Sequence, residues 1–415
     1  MEIFETWESE IRGYSRAWPT VFASASNARQ VDAQGKTYID FFGGAGVLNF
    51  GHNNPKMKRA MIDFLEADGV AHSLDMATTV KGEFIEKFVN TVLKPRGMNH
   101  KLQFMGPTGT NAVEAAIKLA RRATGRHTIV AFSHGFHGMT LGALACTANS
   151  YFRGAAGVPL EHVHRLPFEG AAMGCTRCLD AYRNALEDPS SGLEPPAAFL
   201  VEVIQAEGGV NVASREWMQA LQQLARDTGA LLILDDIQVG CGRTGSYFSF
   251  DGMDLDPDII TLAKGIGGYG TPLAMNLNKP EYDRLWGPGE HTGTFRGQGL
   301  SFVAGRVALE YFDDDQLMGE VKAKGERMAG VVHQLAEQHP DYAARGRGMI
   351  QALDIGDGAK AKEMARRCFE EGLLIGPCGT GGRVLKLIPP LTTPDEDLAS
   401  GLAILEKVVK EVGSA

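Results

Sequence analysis

The stretch REWMQALQQLARDTGALLILDD, residues 215–236, carries the pattern that decides the fold. Its first half predicts a helix, because Gly229 is a stop signal and apolar residues recur at helical spacing before it: Trp217, Leu221 and Leu224. Its second half, 230–236, is an apolar run that ends in two aspartates, which is typical of a strand buried on both faces. A helix followed at once by such a strand is the repeating unit of a parallel sheet with crossover helices.

Similar short apolar runs occur elsewhere in the middle of the chain: HTIVAF (127–132), AAFLVEVI (197–204) and DIITLA (258–263). We therefore predict an α/β fold with a large, mainly parallel sheet. In such sheets, ligands bind at the carboxyl ends of the strands. Asp235 and Lys264 each follow a predicted strand directly, so both are expected at that edge.

The two ends of the chain read differently from the middle. Residues 1–50 predict a hairpin with its turn at Gln34-Gly35, followed by a glycine-rich loop. Beyond residue 300 we predict helices at 301–315, 316–338 and 395–412, with short strands and glycine turns filling 345–392. These patterns predict a large α/β domain at 51–300 and a smaller α+β domain at 301–415, which residues 1–50 join.

Composition limits the classes of function. The chain has 415 residues, of which 44% are hydrophobic, and a formal net charge of -9, so nothing in it favours nucleic acid or an anionic membrane as a partner. The first residues, MEIFETWE, lack the signature of a secretory signal, and we expect a soluble cytoplasmic protein.

Cys175 and Cys178 form a single Cys-x-x-Cys. Without a second pair we predict no metal site, and we interpret them as ordinary thiols, with a redox or metal role as the alternative.

The segment GPTGTNAVEAAIKLARRATG (106–125) predicts a helix with small and hydroxyl residues at its start. Asn111 and Glu114 have the spacing of a capping box. Just before them, Thr108-Gly109-Thr110 offers hydroxyls and free backbone N–H groups at a helix N-terminus, which favours a phosphate. An ordinary capped helix is the alternative interpretation.

Asp235 and Lys264 are the other two chemical signals. A carboxylate after a buried strand needs a cation or several hydrogen-bond donors, and a protonated heterocyclic nitrogen would serve. Lys264 ends an apolar run and is followed by glycines, so burial should depress its pKa and leave a neutral amine that can attack an aldehyde. A salt bridge or helix cap for Asp235, and a structural ion pair for Lys264, are the alternatives.

Together with the aromatic-histidine turn SHGFHGMT (133–140), these features match the needs of pyridoxal phosphate. The chain also resembles the class-III (ω-amino-acid) aminotransferases among the fold-type I pyridoxal-phosphate enzymes, from YIDFFGGAGVLNFGHNNP (38–55) to KLIPPLTTPDEDL (386–398). The resemblance implies that Lys264 binds the cofactor aldehyde as an imine and that Asp235 contacts the pyridinium nitrogen. It further implies that Gln238 lies near the ring hydroxyl, Phe136 stacks on the ring, and Gly109 and Thr110 hold the phosphate.

The same resemblance implies an oligomer and a substrate pair. Thr294 in GEHTGTFRG (289–297) matches a threonine that reaches the phosphate of a neighbouring subunit, so a homodimer is the expected minimal unit, with a tetramer also open. Motifs such as AHSLDMATT (71–79) and GGYGTPLAM (267–275) resemble the diaminobutyrate-forming subgroup of ectoine synthesis. That subgroup implies ping-pong transfer of an amino group from L-glutamate to L-aspartate-4-semialdehyde. Other ω-aminotransferases (of ornithine, acetylornithine or 4-aminobutyrate), decarboxylating or mutase relatives, and a non-catalytic regulator are the alternatives.

Recognition of the substrate carboxylate is where the chain departs from the family pattern. Glu207 in IQAEGG matches a glutamate that masks an arginine, but the arginine position is Lys386. A lysine is a point charge without the planar fork of arginine. Either the nearby Arg383 takes the place of the arginine or Lys386 acts alone. Arg153 is the second candidate for carboxylate binding, and Arg296 is a further candidate for lining the pocket. Surface or interface pairing is the alternative for each arginine.

Overall fold

The structure is a computed structural model, and it describes residues 1–170 and 176–413. Cys175 lies outside these residues, so the interpretation of the Cys-x-x-Cys pair stays a prediction. The N-terminal elements are α1 (Glu2–Trp7), α2 (Tyr14–Ala17), β1 (Phe22–Ser26), β2 (Arg29–Asp32), β3 (Thr37–Asp40) and the single turn α3 (Gly43–Gly46). The predicted turn at Gln34-Gly35 joins β2 to β3, and Gly35 has the positive φ of 87° that such a turn requires.

The central part of the chain alternates helices and strands. It comprises α4 (Pro55–Glu66), α5 (Thr79–Phe88), β4 (Lys101–Phe104), α6 (Gly109–Thr124), β5 (Ile129–Phe132), α7 (Leu141–Cys146), α8 (Ser150–Arg153), β6 (Val163–Leu166), α9 (Thr176–Glu187), β7 (Ala198–Val201), β8 (Ile204–Gln205), β9 (Asn211–Val212), α10 (Arg215–Thr228), β10 (Leu231–Asp235), β11 (Ile259–Leu262), β12 (Met275–Asn278), α11 (Pro280–Asp283) and α12 (Gly299–Leu309).

The C-terminal part follows α12. It comprises α13 (Gln316–Gln338), β13 (Ala343–Arg347), β14 (Ile350–Asp354), α14 (Gly358–Glu370), β15 (Leu373–Leu374), β16 (Gly376–Cys378), β17 (Val384–Leu387) and α15 (Asp395–Gly413).

The large sheet has the order β4-β12-β11-β10-β7-β5-β6. The strands of this sheet from β11 through β6 run parallel, whereas β12 pairs antiparallel with its neighbours β11 and β4. Every residue of β10 is buried, and α10 buries the predicted face of Trp217, Leu221 and Leu224. The sequence prediction of a mainly parallel α/β sheet is confirmed.

The two ends of the chain meet in smaller sheets. The N-terminal strand β3 pairs in parallel with the C-terminal strand β15, through Ile39 with Leu373 and Asp40 with Leu374. A separate sheet has the order β13-β14-β17-β16. Helix α12 packs on α4 and α5, although the predicted boundary at residue 300 assigns it to the C-terminal part. The division into domains stays a prediction.

Two local predictions were wrong. The region 345–392 contains the helix α14 besides strands, which the sequence analysis missed because its apolar stripe consists largely of small residues between charged ones. The start of α6 is capped by Thr108, whose Oγ1 accepts the Asn111 N–H, so Asn111 lies inside the helix and is not the cap. Glu114 instead accepts hydrogen bonds from Thr140 Oγ1 at 2.6 Å and from the Ala143 N–H at 3.0 Å.

Helix α15 fastens the C-terminus to the N-terminal segment through a glycine. Gly401 is buried against the ring of Phe41, and a Cβ there would lie 2.7 Å from Phe41 Cε1. Within the described residues, no helix has both the length and the apolar character needed to cross a membrane.

We predict that Gly401→Ala lowers the free energy of unfolding by about 1–3 kcal/mol, because overpacking a fully buried ring costs that much. Gly330→Ala is the matched control, since Gly330 also lies in a long helix but has nothing within 4 Å of its added Cβ. It should raise the free energy of unfolding by about 0.4–1 kcal/mol. Urea unfolding of both variants measures this, and equal effects would contradict the packing argument.

Candidate active site

Lys264 lies where β11 has just ended, in the 3-10 turn Lys264–Gly267. Its backbone has a φ of 53°, in the left-handed region, and the next residue, Gly265, packs so closely on Asn49 that a Cβ would lie 2.7 Å from Asn49 Nδ2. The Lys264 amine donates no hydrogen bond to any residue that the structure describes. Burial lowers the pKa of Lys264, and this effect outweighs the opposing attraction of Glu207. The site therefore favours a neutral, nucleophilic amine.

Asp235 ends β10, and its partner in the register is Thr261 on β11, so it lies at the same edge of the sheet as Lys264. Its Oδ2 lies 2.8 Å from His137 Nδ1, and its Oδ1 accepts the Ile237 N–H at 3.2 Å. His137 is fixed in turn, because its backbone N–H donates to Thr147 Oγ1 at 2.9 Å. The carboxylate of Asp235 is thus buried and oriented by the histidine of the aromatic-histidine turn, a role the sequence analysis did not assign.

Glu202 is a site residue that the sequence analysis missed. It follows the last residue of β7, is buried, and accepts the Phe136 N–H at 2.9 Å. Burial raises the pKa of Glu202 well above its ordinary value, and the nearby charge of Asp235 raises it further. Burial therefore favours the protonated, uncharged form of Glu202. Asp235 was found as an acid at the end of a buried strand. The same rule would have found Glu202 if the predicted strand AAFLVEVI had ended at Val201.

The turn before α6 offers an anion site. The backbone N–H groups of Gly109 and Thr110 have no acceptor within the described part of the chain, and Thr110 Oγ1 lies 2.6 Å from Thr140 Oγ1. Gly138 has a φ of 127°, and a Cβ on it would overlap Thr110 Oγ1, so only glycine leaves this turn open. Two free N–H groups and two hydroxyls at a helix N-terminus suit a phosphate.

Glu207, Lys386 and Gln238 form a polar cluster next to Lys264, in which Lys386 and Gln238 are buried and Glu207 is half-buried. Lys386 lies on β17, is 2% exposed, and donates to Glu207 Oε1 and, at 3.0 Å, to Gln238 Oε1. The Gln238 Nε2 donates to the Ala45 carbonyl at 2.9 Å, which fixes the amide. The structure therefore places Glu207 against Lys386, the pairing that the resemblance to a masked arginine implies, and adds Gln238 to it.

The Glu207–Lys386 pair is ionised. Burial alone would raise the pKa of Glu207, but the attraction of Lys386 and Lys264 outweighs it and lowers that pKa to about 2. Burial would lower the pKa of Lys386, and the attraction of Glu207 instead raises it. Glu207 therefore occupies one donor of the Lys386 ammonium, and its role as a switch that masks Lys386 stays a prediction.

The three arginines proposed from the sequence are each engaged elsewhere. Arg383 donates to Asp354 at 2.7 Å, and Arg296 pairs with Asp75 at 2.6 Å. Arg153 donates through Nη1 to carbonyls around the end of α7: those of Leu144, Ala145 and Thr147. Their roles in binding a carboxylate stay predictions.

Phe136 and Thr294 border the site. The Phe136 ring lies 5.5 Å from the Phe152 ring in an edge contact, and its backbone is held by Glu202. Thr294 is exposed, and its carbonyl lies 2.7 Å from His72 Nε2. The preceding Gly293 packs on Gly106, so this loop lies at the edge of the phosphate turn.

The donor set fits pyridoxal phosphate. The turn at Gly109 and Thr110 suits the phosphate, the neutral Lys264 suits the aldehyde, and Asp235 suits a protonated ring nitrogen. The charges also fit, because burial favours the neutral forms of Glu202 and Lys264, and Glu207 pairs with Lys386. A cation stabilises a buried carboxyl group such as that of Asp235, and a protonated ring nitrogen would supply one.

The comparisons with known proteins agree with this geometry. The family model of the class-III aminotransferases matches residues 13–409. The chain is 49% identical to the diaminobutyrate–2-oxoglutarate transaminase of Nocardia farcinica, over 99% of this chain and 94% of that protein. It is 48% identical to the diaminobutyrate–2-oxoglutarate transaminase of Streptomyces anulatus, over 99% of this chain and 98% of the relative.

A solved structure extends the likeness to the fold. The chain superposes with a TM-score of 0.86 on an ornithine aminotransferase from Toxoplasma gondii in which pyridoxal phosphate partly occupies the active site, with 24% identity over 100% of this chain and 94% of that one. The predicted fold-type I architecture is thereby confirmed.

We predict that Glu202→Gln removes a fall in stability that the wild type shows as the pH rises. The folded-state pKa of Glu202 lies above its ordinary value of 4.5, so between the two values the folded protein keeps a proton that the unfolded chain has lost. The free energy of unfolding of the wild type then decreases with pH across that window. Glutamine resembles the protonated acid and does not titrate.

Urea unfolding of the cofactor-free proteins at pH 5 and pH 8 measures the effect. The stability difference between Glu202→Gln and wild type should grow in favour of the variant toward pH 8. Glu161→Gln, at an exposed position, should follow the wild-type profile. Parallel pH profiles for wild type and Glu202→Gln would refute a protonated Glu202.

Proposed function

Because this chain belongs to the class-III aminotransferases, we propose that it transfers an amino group from L-glutamate to L-aspartate-4-semialdehyde, giving 2-oxoglutarate and L-2,4-diaminobutyrate. The chain is 49% and 48% identical to two diaminobutyrate–2-oxoglutarate transaminases over 99% of its length, which supports this substrate pair. The reaction is ping-pong, since both substrates use one site in turn. In ectoine synthesis this step supplies the diaminobutyrate.

The Glu207–Lys386 pair is the observation that carries the proposal. The two substrates differ in whether the reacting carbon bears a carboxylate, and such a pair can distinguish them. Glutamate reacts at its α-carbon, and its side-chain carboxylate lies three carbons further on. The semialdehyde reacts at its aldehyde carbon, and its carboxylate also lies three carbons further on. Only glutamate carries a second carboxylate on the reacting carbon itself.

A site for both substrates therefore needs a cation that is available to the α-carboxylate of glutamate and is paired with a protein carboxylate when the semialdehyde binds. Lys386 offers its ammonium to the α-carboxylate of glutamate when Glu207 turns away. When the semialdehyde binds, Glu207 returns to Lys386, and no buried charge is left unpaired. Displacing one carboxylate by another leaves the net charge of the cluster unchanged.

The residues that would hold pyridoxal phosphate are those that fit it. Gly109 and Thr110 would bind its phosphate, Asp235 would keep its ring nitrogen protonated, Phe136 would cover a ring face, and Lys264 would hold its aldehyde covalently between turnovers. When bound, the cofactor supplies the electron sink that lets a proton leave the carbon bearing the amino group.

The chain itself moves the proton. Burial favours the neutral amine of Lys264 Nζ, which can accept the α-proton of glutamate as a base and return a proton as an acid. His137 holds Asp235 in place, and burial favours the uncharged form of the neighbouring Glu202.

A homodimer is the proposed minimal unit, and two such dimers can form a tetramer. Thr294 is exposed at the edge of the phosphate turn, and large apolar side chains around it are exposed too: Leu74, Met76 and Phe295. A second copy covering this face would bring Thr294 toward the phosphate of its neighbour.

The buried thiols of Cys146, Cys241, Cys368 and Cys378 form no disulfide, which suits the reducing cytoplasm as the place of action.

We predict that two amino donors, L-glutamate and L-2,4-diaminobutyrate, each aminate the bound cofactor faster than other donors do. Stopped-flow absorbance of the bound cofactor follows each half-reaction. Ornithine and 4-aminobutyrate should react with a kcat/KM at least about tenfold lower, since groups placed wrongly in the pocket cost that much. Lys264→Ala is the control and should bind cofactor without converting it at the wild-type rate. Preference for ornithine or 4-aminobutyrate would overturn the substrate assignment.

We further predict opposite substrate effects for the two members of the switch. Lys386→Ala should raise the KM for glutamate about tenfold or more, the value of a hydrogen bond to a charged group, and change the KM for the semialdehyde far less. Glu207→Gln leaves Lys386 unmasked and should raise the KM for the semialdehyde instead. Steady-state kinetics with each substrate varied separates the two. A similar rise of both KM values in both variants would contradict the switch.

A further inference from the structure

Glu207 lies on a short hairpin whose base is held together by an asparagine. This Glu207 hairpin, residues 204–212, consists of β8, β9 and the loop between them, and Gln205 pairs with Asn211 across its two strands. The Asn211 Nδ2 donates to Gln205 Oε1 at 3.0 Å and to the Gly208 carbonyl at 3.3 Å. Gln205 in turn donates through Nε2 to the Ser133 carbonyl at 2.7 Å. The position of Glu207 therefore depends on what holds Asn211.

Arg345 holds Asn211 from the sheet β13-β14-β17-β16. Its Nη1 donates to Asn211 Oδ1 at 2.6 Å, its Nη2 pairs with Asp354, and its strand β13 packs on β9 of the hairpin. A planar guanidinium that a carboxylate holds at one end offers its other N–H groups in a fixed direction. Asn211 therefore meets an oriented donor.

Arg345 and Lys386 lie in one row of that sheet. Arg345 on β13 pairs with Ala352 on β14, and Ala352 pairs with Lys386 on β17. Residues paired in this way point to the same face, and two strand spacings separate the Arg345 and Lys386 backbones by about 10 Å. The hairpin meets this face twice, because Asn211 bonds to Arg345 and Glu207 bonds to Lys386. The row thus holds the hairpin at its base and in its loop.

The two contacts have different parts in the switch. Glutamate would displace Glu207 from Lys386, whereas the bond between Arg345 and Asn211 can persist in both half-reactions. The Glu207 carbonyl also accepts the Gly379 N–H at 2.9 Å, so the backbone beside the switch is held as well. A hairpin fixed in this way keeps the Glu207 carboxylate near Lys386, and such preorganisation favours the paired state.

We propose that Arg345 is a positioning residue for Glu207, which acts by fixing Asn211 at the base of the hairpin. The Glu207 side chain then moves alone between half-reactions and returns to Lys386. The proposal rests on the proposed function, since it names what controls the switch of that site. The paired state serves substrates with no carboxylate on the reacting carbon, so Arg345 supports the half-reaction of the semialdehyde and of diaminobutyrate. Glutamate binds when the pair is open and does not need Arg345.

Arg345→Met tests this, because it removes the bond to Asn211 and leaves Asp354 paired with Arg383. The protein with bound cofactor is mixed with L-2,4-diaminobutyrate or with L-glutamate, and cofactor absorbance is followed by stopped flow. The diaminobutyrate concentration for half-maximal rate should rise about threefold to tenfold, part of the value of a hydrogen bond to a charged group. The glutamate concentration for half-maximal rate should stay the same or fall, because Glu207 then competes less well for Lys386.

Arg347→Met is the matched control. Arg347 lies two positions along β13 on the same face, and its guanidinium donates to the Ser249 carbonyl, outside the hairpin. Its removal should leave both half-reactions at the wild-type values. Arg345→Lys should recover most of the diaminobutyrate affinity, because one ammonium can donate to Asn211 and Asp354 together.

Two further variants show whether Arg345 acts through the switch. Asn211→Ala removes the same bond from its other end, so it should give the same split between the two substrates even where Arg345→Met fails to fold. In the background of Glu207→Gln, Arg345→Met should change neither half-saturating concentration by more than about twofold, because residues that act in one unit are not additive.

Hydrogen exchange gives a readout besides kinetics. The Gly379 N–H is bonded to the Glu207 carbonyl, so loosening the hairpin should expose it. In the protein with bound cofactor, this amide should exchange faster in Arg345→Met than in wild type. Arg347→Met should exchange it at the wild-type rate.

The outcomes separate this proposal from the proposed function. If wild type reacts with neither glutamate nor diaminobutyrate, the proposed function is wrong, and the role of Arg345 in its switch is wrong with it. If wild type reacts with both and Arg345→Met matches it, or weakens both donors equally, the function stands and the role of Arg345 is overturned. An undiminished effect of Arg345→Met in the Glu207→Gln background would also overturn it.

Discussion

The site depends on the high cost of leaving an unpaired charge where water is scarce. Several ionisable side chains meet at the carboxyl edge of the sheet, and each avoids that cost in its own way. Burial favours the neutral forms of Lys264 and Glu202. Glu207 and Lys386 keep their charges by pairing. The carboxyl group of Asp235 bonds to His137 and to the Ile237 N–H, and the protonated ring nitrogen of bound pyridoxal phosphate would be a further partner for it.

The fold meets this constraint by bringing distant segments to one edge. Glu207 and Lys386 are 179 residues apart in sequence, and β17 from the C-terminal part carries the lysine to the glutamate. The N-terminal segment contributes as well, because the carbonyl of Ala45 fixes Gln238. That carbonyl belongs to a left-handed turn whose first N–H groups bond to Asp40 Oδ1. The switch is therefore assembled from the two ends of the chain and the sheet between them.

The sequence predicts features that are encoded by neighbouring residues. It misses contacts that long side chains or distant segments of the chain make in the folded protein. Alternating helices and strands give the sheet, and the strand-end rule gives Asp235 and Lys264, because both features are encoded within about ten residues. Glu202 was missed because its predicted strand ended at Ile204, three residues beyond the true end at Val201. The contacts of Arg153 could not be predicted, since a long guanidinium can reach carbonyls, carboxylates or ligands with equal ease, and tertiary packing decides among them. Spacing likewise says nothing about the meeting of Glu207 with Lys386.

A lysine in the place of an arginine changes how such a switch works. An arginine fork binds a carboxylate through two bonds at once, and a masking glutamate must match that fork. The ammonium of Lys386 has three equivalent donors, so it can keep its bond to Gln238 while one acceptor replaces another. The exchange then requires movement of Glu207 alone. The cost is a weaker hold on the substrate carboxylate, because a point charge lacks the planar fork of arginine.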